Sequence, residues 1–162
     1  MSKNLQLSIQ EVPPAEAPFD LLLIADPSLE KLNSYLPSSR CFVAFDDREP
    51  AGVYSIIETA PGAYELMNIA VAPSHQKNGL GSMLLQHAIA TVGATGALSL
   101  EVGTGTFGYQ LAFYQRNGFR VTSIDRDFFL RFYPEPVYED GIQHKDMLRL
   151  ALYFPRDAGT EA

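Results

Sequence analysis

The chain has 162 residues, 46% of them hydrophobic with ten Phe and eight Tyr, which predicts one core and one domain over residues 1–155 with a flexible tail at 156–162. Its formal net charge of -7, from 19 acids against 12 bases, excludes a general affinity for nucleic acid or anionic membrane, since such binding needs clustered Lys and Arg to neutralise phosphates. The single Cys41 cannot close an internal disulfide, and His75, His87 and His144 lack zinc-site spacing, so no metal is expected.

No apolar signal core follows Met1-Ser2-Lys3-Asn4, and the longest dense apolar run, at residues 21–25, is too short to cross a bilayer. A cytoplasmic protein is expected. Residues 5–12 alternate apolar and polar as a half-buried strand does, until Pro13 and Pro14 stop it. From 19 to 36 the pattern is helical and breaks at Asp26-Pro27-Ser28, with Asp26 or Ser28 as the N-cap of the second piece. Strands at 41–45 and 52–59 flank a turn at 46–50, and a further turn at Ala60-Pro61-Gly62 feeds a strand over 64–71, giving an antiparallel meander.

That last strand runs into Gln76-Lys77-Asn78-Gly79-Leu80-Gly81-Ser82, a glycine-bearing turn that opens a helix. Leu80, Leu84, Ala88 and Val92 recur every four residues, so 79–92 is amphipathic, with Gly93 placed as its C-cap. Glycines let an anion approach the backbone, and the first helical turn offers N–H groups without internal partners at the positive end of the dipole. A pyrophosphate suits such a turn. A P-loop is ruled out because no Lys follows Gly81, and a Rossmann fingerprint because Leu84 stands where the third glycine belongs, although Glu101 lies near the position of its acid.

Residues 97–102 read as a strand reached through the helix, hence parallel to the strand before it. A helix at 109–117 ends at Gly118, residues 119–129 read as a strand region, and 147–154 as a last strand. Between them, residues 128–140 are aromatic and acidic, with a composition suited to holding an ammonium group by cation–π contact and ion pairing. Tyr133, Glu135 and Tyr138 are the named candidates for an acceptor wall. A solvated loop would explain the acids equally well.

The spacing Gln76-x-x-Gly79-x-Gly81 resembles motif A of the GNAT superfamily of N-acetyltransferases. Phe113-Tyr114-Gln115-Arg116-Asn117-Gly118-Phe119 resembles the end of its motif B, in the right order around the right elements. The resemblance implies an α+β chain with the GNAT (acyl-CoA N-acyltransferase) fold, a mixed, mostly antiparallel sheet with a central parallel strand pair and flanking helices. It implies acetyl-CoA as co-substrate and a small-molecule or peptide amine as acceptor, with a homodimer possible. Ile69 and Val71 would pair their backbone with pantetheine, and the Ile69 or Ala70 amide would polarise the thioester carbonyl. Lys77, Asn78, Gly79, Leu80, Gly81 and Ser82 would present amides to the pyrophosphate, and Gln76 would shape the loop. Tyr114 would protonate the departing thiolate, and Glu65 would deprotonate the amine, with Glu101 as the other candidate base. Where many members place an asparagine for the pantetheine arm, this chain has Phe107 within Gly103-Thr104-Gly105-Thr106-Phe107-Gly108, and Thr104 or Thr106 on that glycine-flexible loop is the substitute donor. A non-catalytic acyl-CoA sensor is the alternative function.

Overall fold

A computed structural model describes residues 7–155; the predicted tail and the first two residues of the opening strand lie outside them. The strands are β1 (Leu7–Val12), β2 (Arg40–Asp46), β3 (Glu49–Ala60), β4 (Ala63–Val71), β5 (Ser99–Gly105), β6 (Arg120–Asp125), β7 (Tyr138–Glu139), β8 (Ile142–Gln143) and β9 (Met147–Tyr153). The helices are α1 (Phe19–Ala25), α2 (Leu29–Tyr35), α3 (Leu80–Gly93), α4 (Tyr109–Arg116) and α5 (Phe128–Phe132). None of these helices is long and apolar enough to cross a membrane. By packing the chain falls into two units, one of residues up to 58 with 66–91, the other of residues 59–65 with those from 92 onward.

In the first unit β1, β2, β3 and β4 follow one another in hydrogen-bonded order. β1 pairs antiparallel with β2 from Leu7↔Asp46 to Val12↔Cys41, and β2 with β3 from Arg40↔Ile56 to Asp46↔Glu49. The β2–β3 turn is tighter than the predicted 46–50, because left-handed Asp47 (φ 58°) reverses the chain and brings Pro50 into β3. The helical break falls where Pro27 demands it. Ser28 Oγ accepts the Lys31 N–H at 3.2 Å to cap α2, and Asp26 Oδ1 accepts the Ser28 N–H at 3.3 Å. Leu22 and Leu32 from these helices pack with Cys41, Val43 and Val53 as a fully buried core. Across β3, Gly52 lets α3 approach closely, since a Cβ there would stand 2.7 Å from Leu84 Cδ1.

In the second unit the start of β4 runs parallel to β5 through Ala63↔Ser99, Tyr64↔Leu100 and Glu65↔Glu101. β9 lies antiparallel beyond β5, and β6 antiparallel beyond β9 with a bulge between Val121 and Ser123. The parallel pair predicted from the crossover is present.

Three local expectations are corrected. Gly93 does not cap α3 in a left-handed conformation; it ends the helix, and left-handed Gly96 (φ 80°) follows. Gly93 is needed for space, since a Cβ would meet the Phe154 ring at 3.1 Å. The strand region 119–129 ends at Asp125, where left-handed Asp127 (φ 59°) turns the chain into α5 and its carbonyl accepts the N–H groups of Leu130 and Arg131, each at 3.0 Å. The aromatic run has strand-like propensity, but this single helical turn satisfies its backbone locally. Finally, Gly103 to Gly105 is no flexible loop, because β5 continues through Gly105 with Thr104 buried, which removes Thr104 as a loop donor; exposed Thr106 follows the strand.

Candidate active site

In the first unit the predicted anion-binding turn has the geometry that its glycines require. β4 ends at Val71 and a short 3-10 turn over Pro73–His75 follows. Lys77 (φ 67°) and Gly79 (φ 78°) then both adopt left-handed backbone and swing the chain into α3. The first intrahelical donor is the Met83 N–H, which bonds to Gly79 O at 3.1 Å. The amides of Leu80, Gly81 and Ser82 thus precede the helical ladder, as first-turn amides do. Nothing lies within 4 Å of where a Cβ at Gly79 would be, and Gln76 to Gly79 are exposed. A cradle of three amides and a helix dipole, with Lys77 beside it, fits a diphosphate.

The turn is held from behind. Gln76 Nε2 donates to Val71 O at 3.2 Å, as expected of a loop-shaping residue. His75, buried, places Nε2 2.8 Å from Asp46 Oδ2 and Nδ1 2.8 Å from Ser74 Oγ, tying the turn to the end of β2. This anchor escapes sequence reasoning because Asp46 is 29 residues away from His75.

Along β4, Leu66, Asn68 and Ala70 are buried while Met67, Ile69 and Val71 are half-buried. Asn68 Nδ2 donates to Leu22 O (3.0 Å) and Tyr35 Oη (3.1 Å), which fixes that face of the strand against α1 and α2. The parallel ladder with β5 stops at Glu65, so from Leu66 to Val71 this edge of β4 has no strand partner among the described residues. Backbone groups at Ile69, Ala70 and Val71 could therefore accept an extended ligand as an added strand.

In the second unit Tyr114 lies on α4, buried, with its ring against Phe113 (centroids 5.4 Å apart) and edge-on to Phe119 (5.7 Å). Burial pushes the Tyr114 phenol well above its ordinary pKa, and so keeps it protonated. Glu65 and Glu101 are paired neighbours in the β4–β5 ladder and share a face. Arg149 Nη2 donates to Glu65 Oε1 at 2.6 Å, with both side chains largely buried. No sequence signal announces that pairing, since Arg149 is 84 residues downstream.

The residues expected to form an acceptor wall lie in the second unit. Tyr133 is half-buried, stacked at 5.5 Å on Phe129; Glu135 lies exposed on the connection to β7; Tyr138 is exposed on β7. Phe107 stacks on buried His144, with centroids 4.2 Å apart and planes 8° from parallel.

Comparison with known proteins places these features in a family. A model of the acetyltransferase (GNAT) domain matches residues 37–121. The chain is 47% identical over 135 residues to YvbK of Bacillus subtilis strain 168, described as an uncharacterized N-acetyltransferase, and the match covers 83% of this chain and 87% of that protein. A Bacillus subtilis acetyltransferase solved in complex with CoA is 43% identical, with a TM-score of 0.86 over 93% of this chain and 100% of the other. A GNAT family acetyltransferase from Elizabethkingia anophelis, solved with acetyl-CoA bound, is 37% identical, with a TM-score of 0.87 over 94% of this chain and 100% of the other.

Proposed function

The chain belongs to the GNAT acetyltransferase family and is an acyltransferase, and from that premise we propose that it moves the acetyl group of acetyl-CoA to a primary amine, on a small molecule or a lysine side chain, by direct attack. The observation that carries the reading is the turn from Gln76 to Ser82, where left-handed Lys77 and Gly79 lead an exposed stretch of backbone into α3, whose Leu80, Gly81 and Ser82 amides precede the helical ladder. Two structural relatives described with CoA or acetyl-CoA bound support the choice of donor.

Each residue has a defined task in this scheme. Amides of Lys77, Asn78, Gly79, Leu80, Gly81 and Ser82 hold the pyrophosphate, with Gln76 bracing the loop through Val71. Backbone groups of Ile69, Ala70 and Val71 pair with the pantetheine arm, and the Ile69 or Ala70 N–H polarises the thioester carbonyl. The neutral amine attacks the carbonyl carbon, a C–N bond forms, and collapse of the adduct breaks the C–S bond. Tyr114 delivers its proton to the departing thiolate, and the proton shed by the attacking nitrogen passes to a carboxylate. Glu65 and Glu101 are the two candidates for that last role; Arg149 engages Glu65, which favours Glu101, whose carboxylate has no ion-pair partner among the described residues. Tyr133, Glu135 and Tyr138 contact the acceptor. The catalytic domain spans residues 1–155, and in support of this the family match at 37–121 includes residues of both packing units.

Thiol release from acetyl-CoA across a panel of amines, with CoA binding followed by calorimetry, tests the reading. Release with particular amines is expected. Binding without release from any amine would point to an acyl-CoA sensor instead, and absence of binding would remove the donor assignment. Glu101→Gln and Glu65→Gln separate the bases: the variant that loses the acidic limb of the pH–rate profile identifies the carboxylate that takes the proton.

A further inference from the structure

Tyr114 and the carboxylates do not account for His144, a buried polar side chain of the second unit. His144 is 6% exposed, its ring lying between Phe107 (4.2 Å, 8°) and Phe129 (5.2 Å, 36°). Its Nε2 meets Glu139 Oε1 at 3.1 Å, so Nε2 carries the hydrogen toward the carboxylate, while Nδ1 is buried without a hydrogen-bond partner. The backbone is committed as well, with the His144 N–H on Val137 O at 2.7 Å and the Phe129 N–H on Lys145 O at 2.9 Å.

Two glycines make this arrangement possible, Gly105 at the end of β5 and Gly108 at the start of α4. A Cβ on Gly105 would stand 2.2 Å from His144 Cε1, so the imidazole rests on bare backbone at the end of β5. A Cβ on Gly108 would stand 2.1 Å from Glu139 Oε2, so the carboxylate rests on the N-cap of α4, whose φ of 104° also favours glycine. The imidazole and its carboxylate thus grip both ends of the segment from Gly105 to Gly108, and Phe107 between them is held by the ring stack. That segment sets where α4 begins, and α4 carries Tyr114.

We propose that His144, oriented by Glu139, is a positioning residue for the general acid: it locks the Gly105–Gly108 segment and thereby fixes α4 so that the Tyr114 hydroxyl is aligned for proton delivery. The inference rests on the assignment of Tyr114 as general acid. A core histidine with no such role would be replaceable by any ring of its size. Here the ring is joined to a carboxylate seated on the helix cap, and that link is lost when only the ring is retained.

A double-mutant cycle tests it. His144→Phe keeps a ring between Phe107 and Phe129 but drops the bond to Glu139; kcat is expected to fall about 10- to 100-fold while CoA affinity by calorimetry is unchanged. In a Tyr114→Phe background the same substitution should cost less than about 2-fold, because the group being positioned is gone. A full repeat of the single-variant loss in that background overturns the proposal. If Tyr114→Phe alone leaves kcat unchanged, the general-acid assignment fails and the proposal falls with it, an outcome distinct from additivity. Gly105→Ala serves as a second probe, since its methyl displaces the imidazole from the β5 side; it should reproduce the loss in kcat and the non-additivity with Tyr114→Phe. Glu139→Gln retains an acceptor for Nε2 and should retain most of the activity, whereas Glu139→Ala removes it and should reproduce the loss of His144→Phe; full activity in Glu139→Ala would overturn orientation through this bond.

Discussion

Tyr114 shows how far one residue's role depends on its surroundings. A free phenol ionises near pH 10, and burial beside Phe113 and Phe119 raises that further, because the phenolate would be stripped of water. The hydroxyl therefore stays protonated over the whole working range. Tyr114→Phe is accordingly expected to lower kcat about 100-fold while leaving the shape of the pH–rate profile unchanged between about pH 6 and 9. Loss of an alkaline limb in that variant would mean that Tyr114 titrates there and is not the constitutive donor. The motif position of Tyr114 was legible in the sequence, as were the glycines at 79 and 81. Its neighbours in function were not. Asp46 behind His75 and Arg149 on Glu65 are joined to their partners by tertiary contact across 29 and 84 residues, and no local pattern of apolar and polar residues encodes such a pairing.

At the level of elements, periodicity marked β1 to β5, β9, α3 and α4, but it did not show the reason for each glycine. Gly79 follows the local rule: its left-handed φ favours glycine, and space around it is open. Gly79→Ala should thus leave the fold intact and raise the Kd for CoA about 5- to 30-fold, from about 1–2 kcal/mol of left-handed strain that the bound loop must carry. A variant with unchanged Kd would detach this turn from the pyrophosphate. Gly52 follows a different rule. Its backbone is ordinary, but a Cβ would meet Leu84 Cδ1 at 2.7 Å and Ala70 O at 3.2 Å, and Leu84 is fully buried with little room to move. Gly52→Ala should cost about 1–3 kcal/mol by forcing α3 away from β3, read as a lower urea midpoint at constant slope. A wild-type midpoint would show that α3 can ride outward freely. Gly93, Gly103 and Gly105 belong to this second kind, and Gly108 combines both rules with its φ of 104°, each making room for a side chain from a distant segment. That is why the sequence suggested a cap at the first and a flexible loop at the others. α5 was hidden for a related reason, since five residues are too short to display a helical period and their aromatics have strand propensity.

Across the whole molecule, buried phenols set an alkaline limit to stability. Burial pushes Tyr35 and Tyr54 up to about 12 and Tyr114 higher still, against about 10 in the unfolded chain. Because the folded values are raised, their contribution is fully present below pH 10 and is lost as pH rises through the folded values, where the unfolded chain releases protons that the native one retains. His87 acts at the other end. Burial lowers its pKa, so its contribution is present above about pH 6.5 and fades as the pH falls below that, when the unfolded imidazole gains a proton more readily. Tyr54 and His87 are in contact, with Tyr54 Oη 2.6 Å from His87 Nδ1, so a group that resists ionisation at high pH and one that resists protonation at low pH share one hydrogen bond. Thermal unfolding should accordingly show a plateau in Tm from about pH 7 to 9.5, with a decline setting in above about pH 10. Tyr54→Phe removes one raised phenol and the acceptor's partner at once, so its Tm should be lower on the plateau but fall less steeply above pH 10. If the variant's curve runs parallel to that of the parent protein through the alkaline range, Tyr54 is not ionising on unfolding, and the limit must come from Tyr35 and Tyr114 alone.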